Sequence, residues 1–108
     1  MKPFTQQVIH VISSIPAGNV MTYGQVARAA GSPRAARQVV RVLHTMSRKY
    51  NLPWHRVVNG KGEIAIKDEE SAFEQQSALE AEGVVVVNKK IDLQEFQYTG
   101  VKQGDHYV

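Results

Sequence analysis

Arg34, Arg37, Arg41, His44 and Arg48 recur at intervals of three or four residues, the spacing that gathers side chains on one side of a helix. At about 100° per residue they fall within one sector of the helix, bordered by Gln38 and Thr45. Ala35, Ala36, Val39, Val40, Val42, Leu43 and Met46 take the opposite half. The chemistry open to such a face is the binding of anions. An ordinary solvated helix face mixes carboxylates among its cations as ion-pair partners, and this one has none. A polyphosphate suits it best, because each cation laid against phosphate releases counterions and each carboxylate on the same face works against that gain.

The surrounding chain carries the same bias. Of 108 residues, the first 62 hold nine Lys and Arg and no Asp or Glu; the rest hold ten acids and four lysines, leaving a net charge of +3. A nucleic-acid partner is therefore expected for the basic part, with the acidic remainder facing away from it. Cysteine is absent, which excludes disulfides, thiolate metal sites, iron–sulfur ligation and a thiol nucleophile. Asp68, Glu69 and Glu70 stand where carboxylates favour a helix start, with no histidine at ligand spacing, so no metal or other cofactor is expected. No run approaches the ~20 apolar residues of a membrane span, and the first residues lack the pattern of a signal peptide. The expectation is a cytoplasmic protein without a membrane partner, its residues 1–108 forming one domain.

The elements that must carry these residues can be placed from local signals. A first helix is expected from Pro3 or Thr5 to Ser14, with Val8, Val11, Ile12 and Ile15 at helical spacing and a turn at Pro16–Asn19. Thr22 and Gln25 have the spacing of a capping box, so a short second helix should cover Tyr23 to Ala30 and close at Gly31. Ser32 and Pro33 read as N-cap and first residue of a third helix running to about Ser47. Two helices joined by a tight glycine turn form a helix-turn-helix pattern. Val57-Val58, the turn Asn59–Gly62 and Glu63–Ile66 read as a small β-hairpin. A fourth helix from Asp68 to Glu82 is expected to turn Phe73, Gln76 and Leu79 inward and stop at Gly83, followed by a short strand over Val84–Val87. From Gln94 onward no pattern is legible.

Four stretches then resemble one family in order: Ile15-Pro16-Ala17-Gly18-Asn19-Val20-Met21-Thr22-Tyr23-Gly24-Gln25-Val26-Ala27; Gly31-Ser32-Pro33-Arg34-Ala35-Ala36-Arg37; Pro53-Trp54-His55-Arg56-Val57; and Glu82-Gly83. Together they are similar to the C-terminal domain of O6-alkylguanine-DNA alkyltransferases, over about residues 4–88. The resemblance implies a mainly α, winged-helix-like helix-turn-helix domain with a small β-hairpin. The enzymes carry Pro-Cys-His-Arg-Val, whose cysteine accepts the alkyl group. Trp54 stands in that place, the mark of the alkyltransferase-like branch, which binds the same lesions without repairing them. Chemistry agrees, since an indole is neither readily ionised nor suited to accept an alkyl group, and no thiol exists elsewhere in the chain. The sequence therefore reads as a protein that is not an enzyme.

The resemblance assigns further roles. A guanine alkylated at O6 must leave the stack to be examined, so the protein flips it into a pocket holding Trp54 and Val57. The helix-turn-helix enters the minor groove, where Ala35 and Ala36 give a low profile. Arg37 matches the arginine that fills the gap left by the base, and Tyr23 the tyrosine that crowds the adjacent phosphate and borders the pocket. Arg34, Arg41 and His44 contact the backbone. His55 and Glu82 match the pair that activates the enzymes' cysteine and are expected to persist as a structural hydrogen-bond pair. The implied partners are double-stranded DNA containing O6-alkylguanine and nucleotide excision repair proteins, with the chain a monomer. Two departures stand out: Met46 replaces the enzymes' asparagine, and Val39-Val40 a glycine of their recognition helix. A sequence-specific helix-turn-helix regulator is the alternative, but the helix face is richer in phosphate-binding arginines than in base-reading Asn or Gln. A nuclease or glycosylase using His55 and Glu82 is a third possibility.

Overall fold

A computed structural model describes residues 1–100. Helix α1 (Pro3–Ser13) starts on a proline, whose missing N–H costs nothing in the first turn, and buries Val8 and Ile12. Strand β1 (Met21–Thr22) leads directly into α2 (Tyr23–Ala29), where the capping box forms as its spacing predicts. The Gln25 amide donates to Thr22 Oγ1 at 3.0 Å, and the Thr22 amide donates to Gln25 Oε1 at 3.2 Å. Gly31, at φ +99°, ends the helix in the left-handed conformation that a side chain disfavours.

Helix α3 (Ala36–Tyr50) begins later than the Ser32-Pro33 signal predicts and ends later than Ser47. The Ser32 amide is already taken by the Ala27 carbonyl of α2, and the Ala35 amide closes a turn onto Ser32. The Ser-Pro pair therefore builds the turn of the helix-turn-helix, leaving Arg34 and Ala35 outside the helix proper. At the far end Asn51 adopts φ 53°, ψ 48°, the one-residue left-handed stop that asparagine tolerates well.

A 3-10 turn (Trp54–Arg56) connects α3 to strand β2 (Val57–Val58). The hairpin expected here does not form. The chain does reverse at Asn59–Gly62, but β2 pairs in parallel with β1, Met21 opposite Val57 and Thr22 opposite Val58, giving a two-stranded sheet. Ile64, from the expected second arm, instead donates to the Lys89 carbonyl. The sheet divides the interior, because successive residues of a strand point to opposite faces. Met21 and Val57 join the larger core with Val8, Ile12, Ile15, Val26, Val39 and Val42. Val20 and Val58 join a second one with Ile64, Ala72, Leu79, Val84 and Ile91.

Helix α4 (Glu69–Ala81) is N-capped by Asp68, which accepts from the Ser71 amide at 3.0 Å and the Ser71 hydroxyl at 2.7 Å. Leu79 is buried as expected, but the helix presents Ala72 and Gln75 with it rather than Phe73 and Gln76; Phe73 is 72% exposed. The aromatic ring was the larger apolar group, yet close approach of α4 to the sheet is made by the smaller alanine. The Val84–Val87 strand is also absent: Val84 is buried, Val85 and Val87 are exposed, and Val87 pairs with Lys90 across a tight reversal with Asn88 and Lys89 both at positive φ. The tail from Gln94 gains structure. Helix α5 (Leu93–Phe96) is capped by Asp92, and the chain then runs beside Val20, whose amide donates to the Phe96 carbonyl and whose carbonyl accepts from Tyr98. Gln25 donates to the Tyr98 carbonyl and accepts from Gln97, so the tail braces the residue that caps α2.

Candidate nucleic-acid interface

Arg34, Arg37, Arg41, His44 and Arg48 are all exposed, along α3 and the turn before it. None of them forms an ion pair among the described residues, where the two recorded pairs both end on Glu82. Ala35 and Ala36 are partly buried at the start of α3, Ala35 packing on the larger core.

A half-open cavity of about 780 Å³ lies beside this helix. It brings together Tyr23, His44, Trp54 and Val57 of the residues singled out from the sequence. Arg34, Arg37 and Arg41 lie outside it. Trp54 is held by a local device: Pro53, at φ −78° and ψ 66°, makes a three-residue turn in which the Trp54 amide donates to the Leu52 carbonyl at 2.8 Å. The indole meets the His55 ring edge-on with centroids 6.5 Å apart. Burial pushes the Tyr23 hydroxyl above the usual tyrosine range, so it stays protonated and able to donate.

The acidic remainder does not all face away from this region. Asp68 and Glu74, on and before α4, line the same cavity as Trp54. Charge order along the chain could not reveal this, because α4 folds back over the turn that follows α3. Ser47 and Gln75 also line the cavity and were missed from the sequence. Ser47 Oγ and Gln75 Oε1 are the two buried side-chain polar atoms left unpaired among the described residues. The signal for Gln75 was its place between Ala72 and Leu79, had the helix been phased on the small residue.

His55 and Glu82 come together, Nε2 to Oε2 at 2.9 Å, but do not border the cavity. Glu82 is engaged more tightly by Arg56, whose Nε and Nη2 donate to its two oxygens at 3.0 and 2.6 Å while Nη1 donates to the Ile15 carbonyl. The Arg56 guanidinium, aided by His55 and the Gly18 amide, holds the Glu82 carboxyl down at about 2. The carboxylate is therefore a fixed anion that joins the turn at 54–56 and the Gly18 amide to the end of α4.

A helix-turn-helix bearing an exposed cationic row, next to a cavity that holds an indole, is the arrangement of a DNA-binding domain. Comparison with known proteins gives the family: residues 3–84 match the DNA binding domain of 6-O-methylguanine DNA methyltransferase, and the chain belongs to that family. It is 48% identical over 96 residues, 88% of its length and 74% of the relative's, to a DNA base-flipping protein of Escherichia coli. It is 35% identical to alkyltransferase-like protein 1 of Schizosaccharomyces pombe, covering 91% of this chain and 96% of that one. The crystal structure of the latter with damaged DNA containing O6-carboxymethylguanine superposes with a TM-score of 0.82. A Mycobacterium tuberculosis O6-methylguanine methyltransferase, 24% identical with a TM-score of 0.61, shares the fold over 88% of this chain and 55% of its own.

Proposed function

We propose that this protein recognises O6-alkylated guanine in duplex DNA, flips the base into the Trp54 cavity and marks the site without repairing it. The observation that carries this reading is that Trp54, in the stretch Pro53-Trp54-His55-Arg56-Val57 that resembles the enzymes' acceptor-cysteine motif, lines a cavity beside α3. The relatives named as base-flipping and alkyltransferase-like proteins support it. Displacement of an alkyl group needs a soft, ionisable nucleophile. The cavity offers an indole, hydroxyls, an imidazole and carboxylates, and the chain has no thiol.

On this reading Arg37 fills the gap left in the duplex, Tyr23 crowds the neighbouring phosphate, and Arg34, Arg41 and His44 hold the backbone with little sequence preference. Ala35 and Ala36 allow α3 to approach a minor groove. Trp54 and Val57 contact the everted base and its alkyl group, stacking being worth about 1–3 kcal/mol per base. His55 and Glu82 keep a structural role. Residues 1–108 act as one monomeric DNA-binding domain in the cytoplasm, and the marked lesion passes to nucleotide excision repair proteins. No helix of the described residues is long and apolar enough to cross a membrane.

Titrating duplexes with and without O6-methylguanine while following Trp54 fluorescence tests the proposal. Tighter binding of the damaged duplex with a change in emission is expected. Equal affinity for both duplexes overturns lesion recognition, and appearance of unmodified guanine in the duplex after incubation overturns the non-enzymatic reading.

A further inference from the structure

Gln75 is 2% exposed, buried in the second core region on the inner face of α4. Its Nε2 spends both hydrogens on one target: it donates to the His55 carbonyl at 3.1 Å and to the Val57 carbonyl at 3.0 Å. These carbonyls flank Arg56 in the segment that begins with Trp54. Its Oε1 is buried and has no partner. A buried amide that leaves its acceptor unpaired is retained for its donors, since an apolar side chain of the same size would avoid the desolvation of that oxygen. Gln75 also borders the cavity beside Trp54 and Val57.

The turn thus has two separate anchors. Arg56 ties it to Glu82 and to the Ile15 carbonyl, away from the cavity. Gln75 ties its carbonyls on the cavity side. We infer that Gln75 is a positioning residue that holds the Trp54 turn in the form that receives an everted base. The inference rests on the lesion-binding reading above. With Arg56 in place, loss of the Gln75 donors leaves the turn attached to the fold but frees the peptide planes next to Trp54. Lesion binding then suffers, while the exposed arginines of α3 continue to bind undamaged duplex.

The test compares wild type with Gln75→Met, which keeps the length without donors, and Gln75→Glu, which replaces both donors by acceptors. Each is titrated with duplex containing O6-methylguanine and with the undamaged duplex. The expected result is undamaged-duplex affinity within about twofold of wild type, and a lesion-over-undamaged ratio reduced about tenfold, as for one or two lost hydrogen bonds. An unchanged ratio in a folded variant, with the wild-type preference intact, overturns the inference alone; absence of any wild-type preference overturns the reading beneath it. A further measurement needs no variant. In the free wild-type protein the Nε2 hydrogens should exchange slowly with solvent by NMR, and exchange at the rate of a free amide overturns the clamp even if neither variant folds.

Discussion

Arg56 grips Glu82 with two parallel hydrogen bonds, Nε to Oε1 at 3.0 Å and Nη2 to Oε2 at 2.6 Å, across 26 residues of chain. The pair is mostly shielded from water, with side chains 17% exposed on both partners. The same carboxylate that resembles part of a catalytic relay is thereby made into a structural joint.

That joint should give the fold a distinct acid sensitivity. Glu82 titrates near 2 in the folded protein against an ordinary value of 4.5, so its stabilisation is fully present above about 4.5 and is lost as pH falls from there towards 2. Glu82→Gln should lower stability by about 1–2 kcal/mol at neutral pH, because it leaves a partly buried guanidinium without its counter-charge while water still screens the pair in part. It should also flatten the decline between pH 4.5 and 2. Urea unfolding at a series of pH values measures both, and an undiminished acid slope in the variant would assign the slope to other carboxylates.

Arg37→Ala should separate binding from folding. The side chain is exposed in the first turn of α3 and has no partner in the described residues, so the thermal midpoint should stay within the small range of surface substitutions. Affinity for O6-methylguanine duplex should fall about tenfold or more, against a smaller loss on undamaged duplex. A uniform loss on both would make Arg37 a plain phosphate contact.

Tyr23 packs against the larger core, so truncation to alanine would confuse stability with binding. Tyr23→Phe keeps the ring and removes the hydroxyl that burial keeps protonated. Lesion affinity is expected to fall about two- to tenfold, the cost of one hydrogen bond, with an unchanged unfolding midpoint.

Trp54→Cys should not restore alkyl transfer. A thiol there would need an activated neighbour, but His55 does not border the cavity, and Met46 stands where the enzymes that the sequence resembles have an asparagine. Mass spectrometry after incubation with O6-methylguanine duplex should show no methylated protein, and a mass gain of one methyl group would refute the expectation.

Salt dependence should report the α3 row. Arg41→Ala should lower the slope of log affinity against log salt by about one unit while leaving the lesion preference intact. Fluorescence titrations at several salt concentrations give the slope directly, and an unchanged slope removes Arg41 from the interface.

Much of this site was legible from neighbours in the chain. The Thr22–Gln25 capping box, the stop at Gly31 and the exposed arginine row of α3 act over about one turn of helix, and each took the form expected of it. Where the same kind of signal failed, a nearby turn used the residues: the Ser32 carbonyl accepts from the Ala35 amide in the turn between α2 and α3, and α3 starts only at Ala36. Gly62 shows the opposite limit. Read as one residue of a turn, it proves to be a close approach, where a Cβ would lie 2.5 Å from the Ile91 carbonyl oxygen.

The amino-acid sequence by itself determined that the protein is a basic helix-turn-helix domain without a nucleophilic thiol, since helix periodicity, capping and residue chemistry need no distant partner. Tertiary structure alone decided that β2 pairs with β1 rather than with its own hairpin arm, and that α4 turns Ala72 and Gln75 inward. It also decided that Asp68 and Glu74 share the cavity of Trp54, and that Arg56 takes Glu82. Those choices depend on which surfaces meet when segments far apart in the chain pack around two cores, and a local pattern carries no record of that encounter.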